Sequence, residues 1–286
     1  MKTKDDEPRA ADSGPLHPEG VVTLADHNYF PGLEVLHRSV QESHPVPVLC
    51  YDIGLTARQR RRAAELEGLT VLPVPSTPEI ELVRAARPDA PIAKQGKREW
   101  PIWICPFLIA ESRLRRALWI DCDAVVLRDL GELFAMLDEG PVFTPENFAP
   151  EVTPNAPELY DLLPIERDFD PSLPVVNAGV SGWDLERDAN CLDAYRLAAR
   201  RAFEDPRIKE AISWWDQGCL VWAIQATGSE GRVVETNRWN LCAKGTRAEG
   251  RRYRWGPGVL DELRRDVPEA AILHWNGLPV PWGKGR

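Results

Sequence analysis

Two apolar runs in this sequence end in acids. ALWIDCDAVVL (Ala117–Leu127) delivers Asp121 and Asp123 and then turns apolar again. VVTLADHNYF (Val21–Phe30) delivers Asp26, followed by His27, Asn28 and Tyr29. A carboxylate against an apolar core is costly unless something positive meets it, so each run demands a partner. Three later stretches also carry residues able to do chemistry: Asn177 and Gly179 in VVNAGVSGWD, the pair Asp216-Gln217 in WWDQGCLVWAI, and His274 in AAILHW.

Asp121-x-Asp123 admits three chemistries. One aspartate caps a turn while the other is a solvated charge. Alternatively, the pair holds a divalent cation through hard oxygen ligands, with a nucleotide diphosphate completing the shell. In the third reading Asp121 is the nucleophile of a haloacid-dehalogenase-type phosphohydrolase, whose h-h-h-D-x-D-x-[TV] pattern WIDCDAV follows loosely. That motif normally opens its domain and needs a later G-D-x-x-x-D-type segment. Here about four elements come first, and no such segment follows. Taken singly, the other residues have plain readings. His274 is a core or surface histidine, Asn177 and Gly179 form a turn or bulge, and Asp216-Gln217 are first-turn helix residues compatible with the helix dipole. Trp214 and Trp215 are expected to pack, and Cys122, between the two aspartates, to point to the opposite face.

The elements that position these residues alternate in the first half of the chain. VVTLA (Val21–Ala25), VPVLCY (Val46–Tyr51), LTVLPV (Leu69–Val74) and ALWI (Ala117–Ile120) read as buried strands. Pro31 opens a helix with Leu33, Leu36 and Val40 on one stripe. Thr56 and Gln59 form a capping box for a second helix that is expected to stop at Gly68. Alternation of this kind predicts an α/β fold with a mostly parallel sheet. Ligands of such sheets bind beyond the carboxyl ends of the strands, which puts Asp26 and Asp121 at one edge. The second half predicts a long proline-rich loop over Thr144–Pro174 and a strand over Val175–Asp184. A helix from about Arg187 to Phe203, a helix containing Trp214–Ala226 and a last strand, Ala270–Trp275, follow.

Composition removes several function classes. The net charge is −9, whereas general nucleic-acid or anionic-membrane binders lean positive. No apolar run approaches the roughly 20 residues of a membrane helix. Residues 1–18 are polar without a signal-peptide core and read as a disordered tail, leaving 19–286 as one domain. Six scattered cysteines without a CxxC pair suit a reducing cytoplasm.

Five motifs in order resemble glycosyltransferase family 8, retaining nucleotide-sugar enzymes of the Rossmann-like GT-A fold. TLADHNYFPGLEVLHRSV is similar to the family's opening strand, loop and helix, and LWIDCDAVVLRDLGELF to its D-x-D segment. VVNAGVSGWDL resembles the N-[AS]-G-V strand, WWDQGCLVWAI the D-Q-D-x-[LF]-N-type helix, and ILHWNGLPVPW the closing H-x-x-G-x-x-K-P-W. TNRWNL (Thr236–Leu241) is similar to the short W-N segment between the last two.

The resemblance implies roles. Ala25, Asp26, Asn28 and Tyr29 would hold the uracil and ribose, with Tyr29 as a stacking face. Asp121 would serve ribose, sugar hydroxyls or metal, while Asp123 and His274 would be direct ligands of Mn2+, with Mg2+ as a substitute. Asn177 and Gly179 would line the donor sugar, Asp216 and Gln217 would lie near its anomeric carbon, and Gly277 and Lys284 would meet the nucleotide. The implied activity is metal-dependent, retaining transfer of a hexose from a UDP-sugar, UDP-glucose or UDP-galactose, to a hydroxyl of a glycan, lipid-linked saccharide or natural product.

There are departures from the family pattern. Its final lysine falls at Val280, with Lys284 and Arg286 as candidate replacements. A basic residue usual before the metal motif falls near Cys105, with Lys94, Lys97 or Arg98 able to stand in. Gly218 replaces the second aspartate of the helix motif. The loss at Val280 keeps open a different class, a nucleotide-sugar-binding protein without turnover.

Overall fold

A computed structural model describes residues 17–85, 100–146, 155–168, 170, 175–229, 231–253, 256–276, 280 and 282. Among the described residues ten strands follow in chain order: β1 (His17–Ala25), β2 (Val48–Asp52), β3 (Leu69–Pro73), β4 (Leu114–Ile120), β5 (Ala124–Val126), β6 (Val142–Pro145), β7 (Val176–Asp184), β8 (Arg232–Val233), β9 (Leu241–Cys242) and β10 (Ile272–His274). Seven form one sheet in the order β3-β2-β1-β4-β7-β6-β8, and β5-β10-β9 form a small second sheet. β7 alone runs against its neighbours in the large sheet, pairing antiparallel with β4 and β6. The remaining pairs are parallel.

Parallel strands covered on both faces should be apolar throughout, and β2 and β4 largely are. The helix Phe30–Ser43 carries Pro31 in its first turn and buries Leu33, Leu36 and Val40 completely. Burial of each such side chain is worth about 1.5–3 kcal/mol. Thr56 and Gln59 make the capping box of helix Ala57–Ala63, but this helix ends well before Gly68. Past Ala63 the chain continues in turns whose backbone bonds span three residues, such as Glu65 N to Arg62 O and Leu66 N to Ala63 O.

Three other boundaries move. β1 begins at His17, so residues 17 and 18 belong to the sheet and not to a tail. The region 144–174 is not loop alone, since it begins with the end of β6 and contains the helix Glu158–Leu162. The helix expected to contain Trp214 starts only at Asp216, because both tryptophans before it take positive φ of 56°.

Two apolar cores lie on opposite faces of the large sheet. One holds Trp103, Phe107, Trp183 and Tyr195, and the other holds Leu33, Leu36, Ile120 and Cys122. A third, around Val125, Leu273 and Trp275, supports the small sheet, and Val280 and Trp282 pack against it. Among the described residues no helix is long and apolar enough to cross a membrane.

Candidate metal and donor site

Ala25 and Ile120 end adjacent parallel strands, which puts the turns that follow them at one edge of the sheet. Asp26 uses its Oδ1 locally, accepting from the backbone N–H groups of Asn28 (2.8 Å) and Tyr29 (3.0 Å), while Oδ2 accepts from Asn28 Nδ2 (3.3 Å). Its carboxylate therefore builds the loop that presents Tyr29. Burial, and after it the charge of Asp123 and its neighbours, pushes the Tyr29 hydroxyl far above its usual range. The loop after β1 and the turn after β4 thus share one electrostatic environment.

That second turn is fixed from several sides. Asp121 N donates to Gly179 O (2.9 Å) and Ala124 N to Asp121 O (3.0 Å). The Trp119 indole donates to Asp121 Oδ1 (2.9 Å), which leaves Oδ2 facing His274 Nε2 at 3.7 Å. β10 pairs antiparallel with β5 so that His274 lies opposite Ala124, and Trp275 N donates to Asp123 O (3.0 Å). His274 Nε2 then stands 3.1 Å from Asp123 Oδ1. One ligand atom from each of Asp121, Asp123 and His274 lies within 4.8 Å of the others. Gly32 permits this close assembly, because a Cβ there would meet the Cys122 carbonyl oxygen at 2.3 Å. Cys122 itself turns into the core beside the helix Phe30–Ser43.

His274 is buried. Burial disfavours its charged form, but Asp123, then Asp121 and Glu146, outweigh that and raise its pKa above the ordinary value. An imidazole nitrogen converging with two carboxylates is a donor set that fits a divalent cation.

A chain of buried amides continues from the histidine. His274 Nδ1 meets Asn240 Oδ1 (2.9 Å), and Asn240 Nδ2 donates to Asn177 Oδ1 (2.9 Å) and Thr144 Oγ1 (2.9 Å). Asn177 Nδ2 donates to Glu146 Oε2 (2.9 Å) and Gln217 Oε1 (3.2 Å), and Gln217 Nε2 donates to the same Glu146 oxygen (3.0 Å). The pairing of β6 with β7 shifts register between Phe143 and Thr144. Irregularities of this kind re-aim side chains next to sites, and here Asn177 and Thr144 both reach Asn240. Gly179 passes directly under the histidine, and a Cβ there would lie 2.4 Å from His274 Cε1.

Asp216, the first residue of helix Asp216–Thr227, is buried and accepts from the Tyr195 hydroxyl (3.1 Å). Burial, followed by repulsion from Asp121, raises its pKa to about 8. Trp214 and Trp215, expected to pack, are instead 36% and 37% exposed immediately before it.

No protein-family description and no curated protein matches the sequence. Solved structures do. The galactosyltransferase LgtC, in complex with donor and acceptor sugar analogues, aligns over 92% of this chain and 89% of its own, at 18% identity and a TM-score of 0.58. The bifunctional glycosyltransferase WbbM aligns over 96% of this chain and 48% of its own (13% identity, TM-score 0.55). Mouse xyloside xylosyltransferase 1 aligns over 91% and 98% (14% identity, TM-score 0.50). The fold is GT-A.

Within this GT-A fold the departures acquire a physical reading. Val280 is half-buried against the third apolar core, and it brings no positive charge to a diphosphate. Cys105 is buried beside Asp216 and Asp121, its thiol pushed up first by burial, so it supplies no positive charge. Gly218 has no side chain to reach a sugar, and its carbonyl accepts from Asn155 (2.9 Å). Gly277, Lys284, Lys94, Lys97, Arg98 and Arg286 lie outside the described residues. Trp119, Thr144, Glu146, Tyr195 and Asn240 join the site without having been singled out in the sequence. Asn240 had a signal in the W-N segment, whereas Glu146, one acid in a proline-rich stretch, had none.

Proposed function

We propose that the protein is a metal-dependent, retaining glycosyltransferase of the family 8 kind that moves a hexose from a UDP-sugar, UDP-glucose or UDP-galactose, to an acceptor hydroxyl. The observation that carries this reading is the convergence of Asp121, Asp123 and His274 at the strand-end crevice of a GT-A fold. Asp123 and His274 would ligate Mn2+ or Mg2+ directly, with Asp121 shared between metal and ribose. When bound, the cation supplies Lewis-acid stabilisation of the departing diphosphate.

The chain's own residues do the rest. Tyr29 offers a stacking face to the uracil, and the Asp26–Asn28 turn shapes that pocket. Asn177 and Gly179 line the donor sugar. Gln217 donates its Nε2 to Glu146, so its carbonyl oxygen turns toward Asn177. A carbonyl dipole in that setting suits the positive charge that develops on the sugar. Asp216, buried and hydrogen-bonded to the Tyr195 hydroxyl, is the alternative group near the anomeric carbon, as a nucleophile. Trp214 and Trp215 offer exposed aromatic faces for an acceptor saccharide. Six free, buried thiols suit a reducing compartment, and the location we propose is the cytoplasm.

UDP release from UDP-glucose and UDP-galactose, measured with Mn2+ and with chelator, tests the proposal. Metal-dependent release supports it, and no release from any UDP-sugar overturns it. A second reading, a nucleotide-sugar binder without turnover, is favoured by the uncharged Val280 where the family pattern has a lysine. Saturable UDP binding with no turnover would select it. The phosphohydrolase reading of Asp121 is set aside by the fold.

A further inference from the structure

The amide chain behind His274 is anchored by backbone groups that cannot flip. Gly179 N–H donates to Asn177 at 2.9 Å, so the Asn177 atom there is its oxygen. Asn240 must therefore present its nitrogen to Asn177. A second anchor agrees: the Thr144 hydroxyl donates to Val180 O (3.3 Å), so toward Asn240 it offers only an acceptor. With its nitrogen committed on that side, Asn240 turns its carbonyl oxygen to His274 Nδ1. A carbonyl oxygen only accepts, so Nδ1 must carry the hydrogen.

We infer that Asn240 is a positioning residue that holds His274 as the Nδ1–H tautomer and aims the bare Nε2 at the cation shared with Asp121 and Asp123. The inference rests on the proposed metal site and adds a residue outside its ligand set. It also explains why Asn177, assigned to the donor sugar, is linked to a metal ligand by one intervening amide: sugar-side and metal-side groups share one hydrogen-bonded frame. Partners of this kind fix the orientation of ligating histidines, and their loss commonly weakens metal binding by roughly 10–100-fold. The reverse tautomer would require Asn240 and Asn177 to rotate together, leaving the Gly179 N–H facing an amide nitrogen.

The test is Mn2+ binding to the full chain without nucleotide, followed by the electron paramagnetic resonance of free Mn2+. Asn240→Leu removes the acceptor and is expected to weaken binding by roughly 10–100-fold. Asn240→Asp keeps an acceptor for Nδ1–H while losing the donor to Asn177, and is expected to stay within a few fold of the parent protein. A purely structural role would penalise the buried charge of the aspartate at least as much as the leucine. Equal losses in the two variants, or parent-like binding by a folded Asn240→Leu protein, overturn the inference. Should the leucine variant not fold, the imidazole 15N shifts of the parent protein loaded with diamagnetic Zn2+ decide, because without a metal Nε2 faces Asp123 Oδ1 at 3.1 Å and can carry a hydrogen for that contact. A hydrogen on Nδ1 supports the inference and one on Nε2 refutes it. If the parent protein itself binds no Mn2+, the metal reading fails first and this one with it.

Discussion

His274 Nε2 lies 3.1 Å from Asp123 Oδ1 although 151 residues separate them in the chain. β5, which follows Asp123, and β10, which ends in His274, pair antiparallel, so the contact depends on a small sheet closing against the end of the large one. Replacement of either residue by alanine is expected to abolish metal-dependent UDP binding. Calorimetric titration of UDP with and without Mn2+ measures it, and parent-like affinity in Asp123→Ala or His274→Ala would remove the residue replaced from the ligand set.

Gly179 is the tightest point beneath the histidine. In Gly179→Ala the new methyl would stand 2.4 Å from His274 Cε1 and 3.0 Å from its Nδ1. Overpacking a buried site of this kind costs about 1–3 kcal/mol. Urea unfolding should show that loss, together with weaker Mn2+ binding. Undiminished stability and metal affinity would mean that the histidine has room to move.

Asp216 gives the metal-free protein a pH dependence of definite sign. Its folded pKa is raised to about 8, while in the unfolded chain it ionises near ~4. Across that window the folded state keeps a proton that the unfolded chain has released, so stability falls as pH rises. The raised pKa of His274 acts in the same direction, its contribution being lost as pH climbs through the folded value. Asp216→Asn removes only the first effect. Melting temperatures in chelator from about pH 5 to about pH 9 should therefore show the variant gaining on the parent protein as pH rises. A constant difference would contradict the assignment.

Trp214 and Trp215 hold positive φ at 56°, a conformation costing of order 1–3 kcal/mol for a bulky residue, and both remain exposed. Glycine at either position relieves that cost, so Trp214→Gly and Trp215→Gly should leave the melting temperature unchanged or higher. If the pair serves the acceptor, the same variants raise the acceptor KM several-fold while UDP binding stays constant. A lower melting temperature with unaltered kinetics would make them structural.

The sequence by itself determined the parts that local chemistry fixes. The apolar runs of β1 to β4, the proline and stripe of helix Phe30–Ser43 and the capping box at Thr56 depend on neighbours a few residues away. The aspartates that end β1 and β4 fall at one sheet edge because parallel strands must share a direction. His274, Asn177 and Asp216-Gln217 could be named only through the order of motifs, since each alone is an ordinary residue in an ordinary element. What tertiary structure alone decided was the company they keep. Glu146 and Asn240 become site residues because an irregular β6–β7 pairing and the second sheet bring them to Asn177 and His274. Trp214 and Trp215 combine exposure with a positive-φ backbone, neither of which an aromatic pair in a sequence reveals. Burial and hydrogen-bond direction are properties of the assembled interior, and they join scattered amides and acids into one hydrogen-bonded cluster around His274.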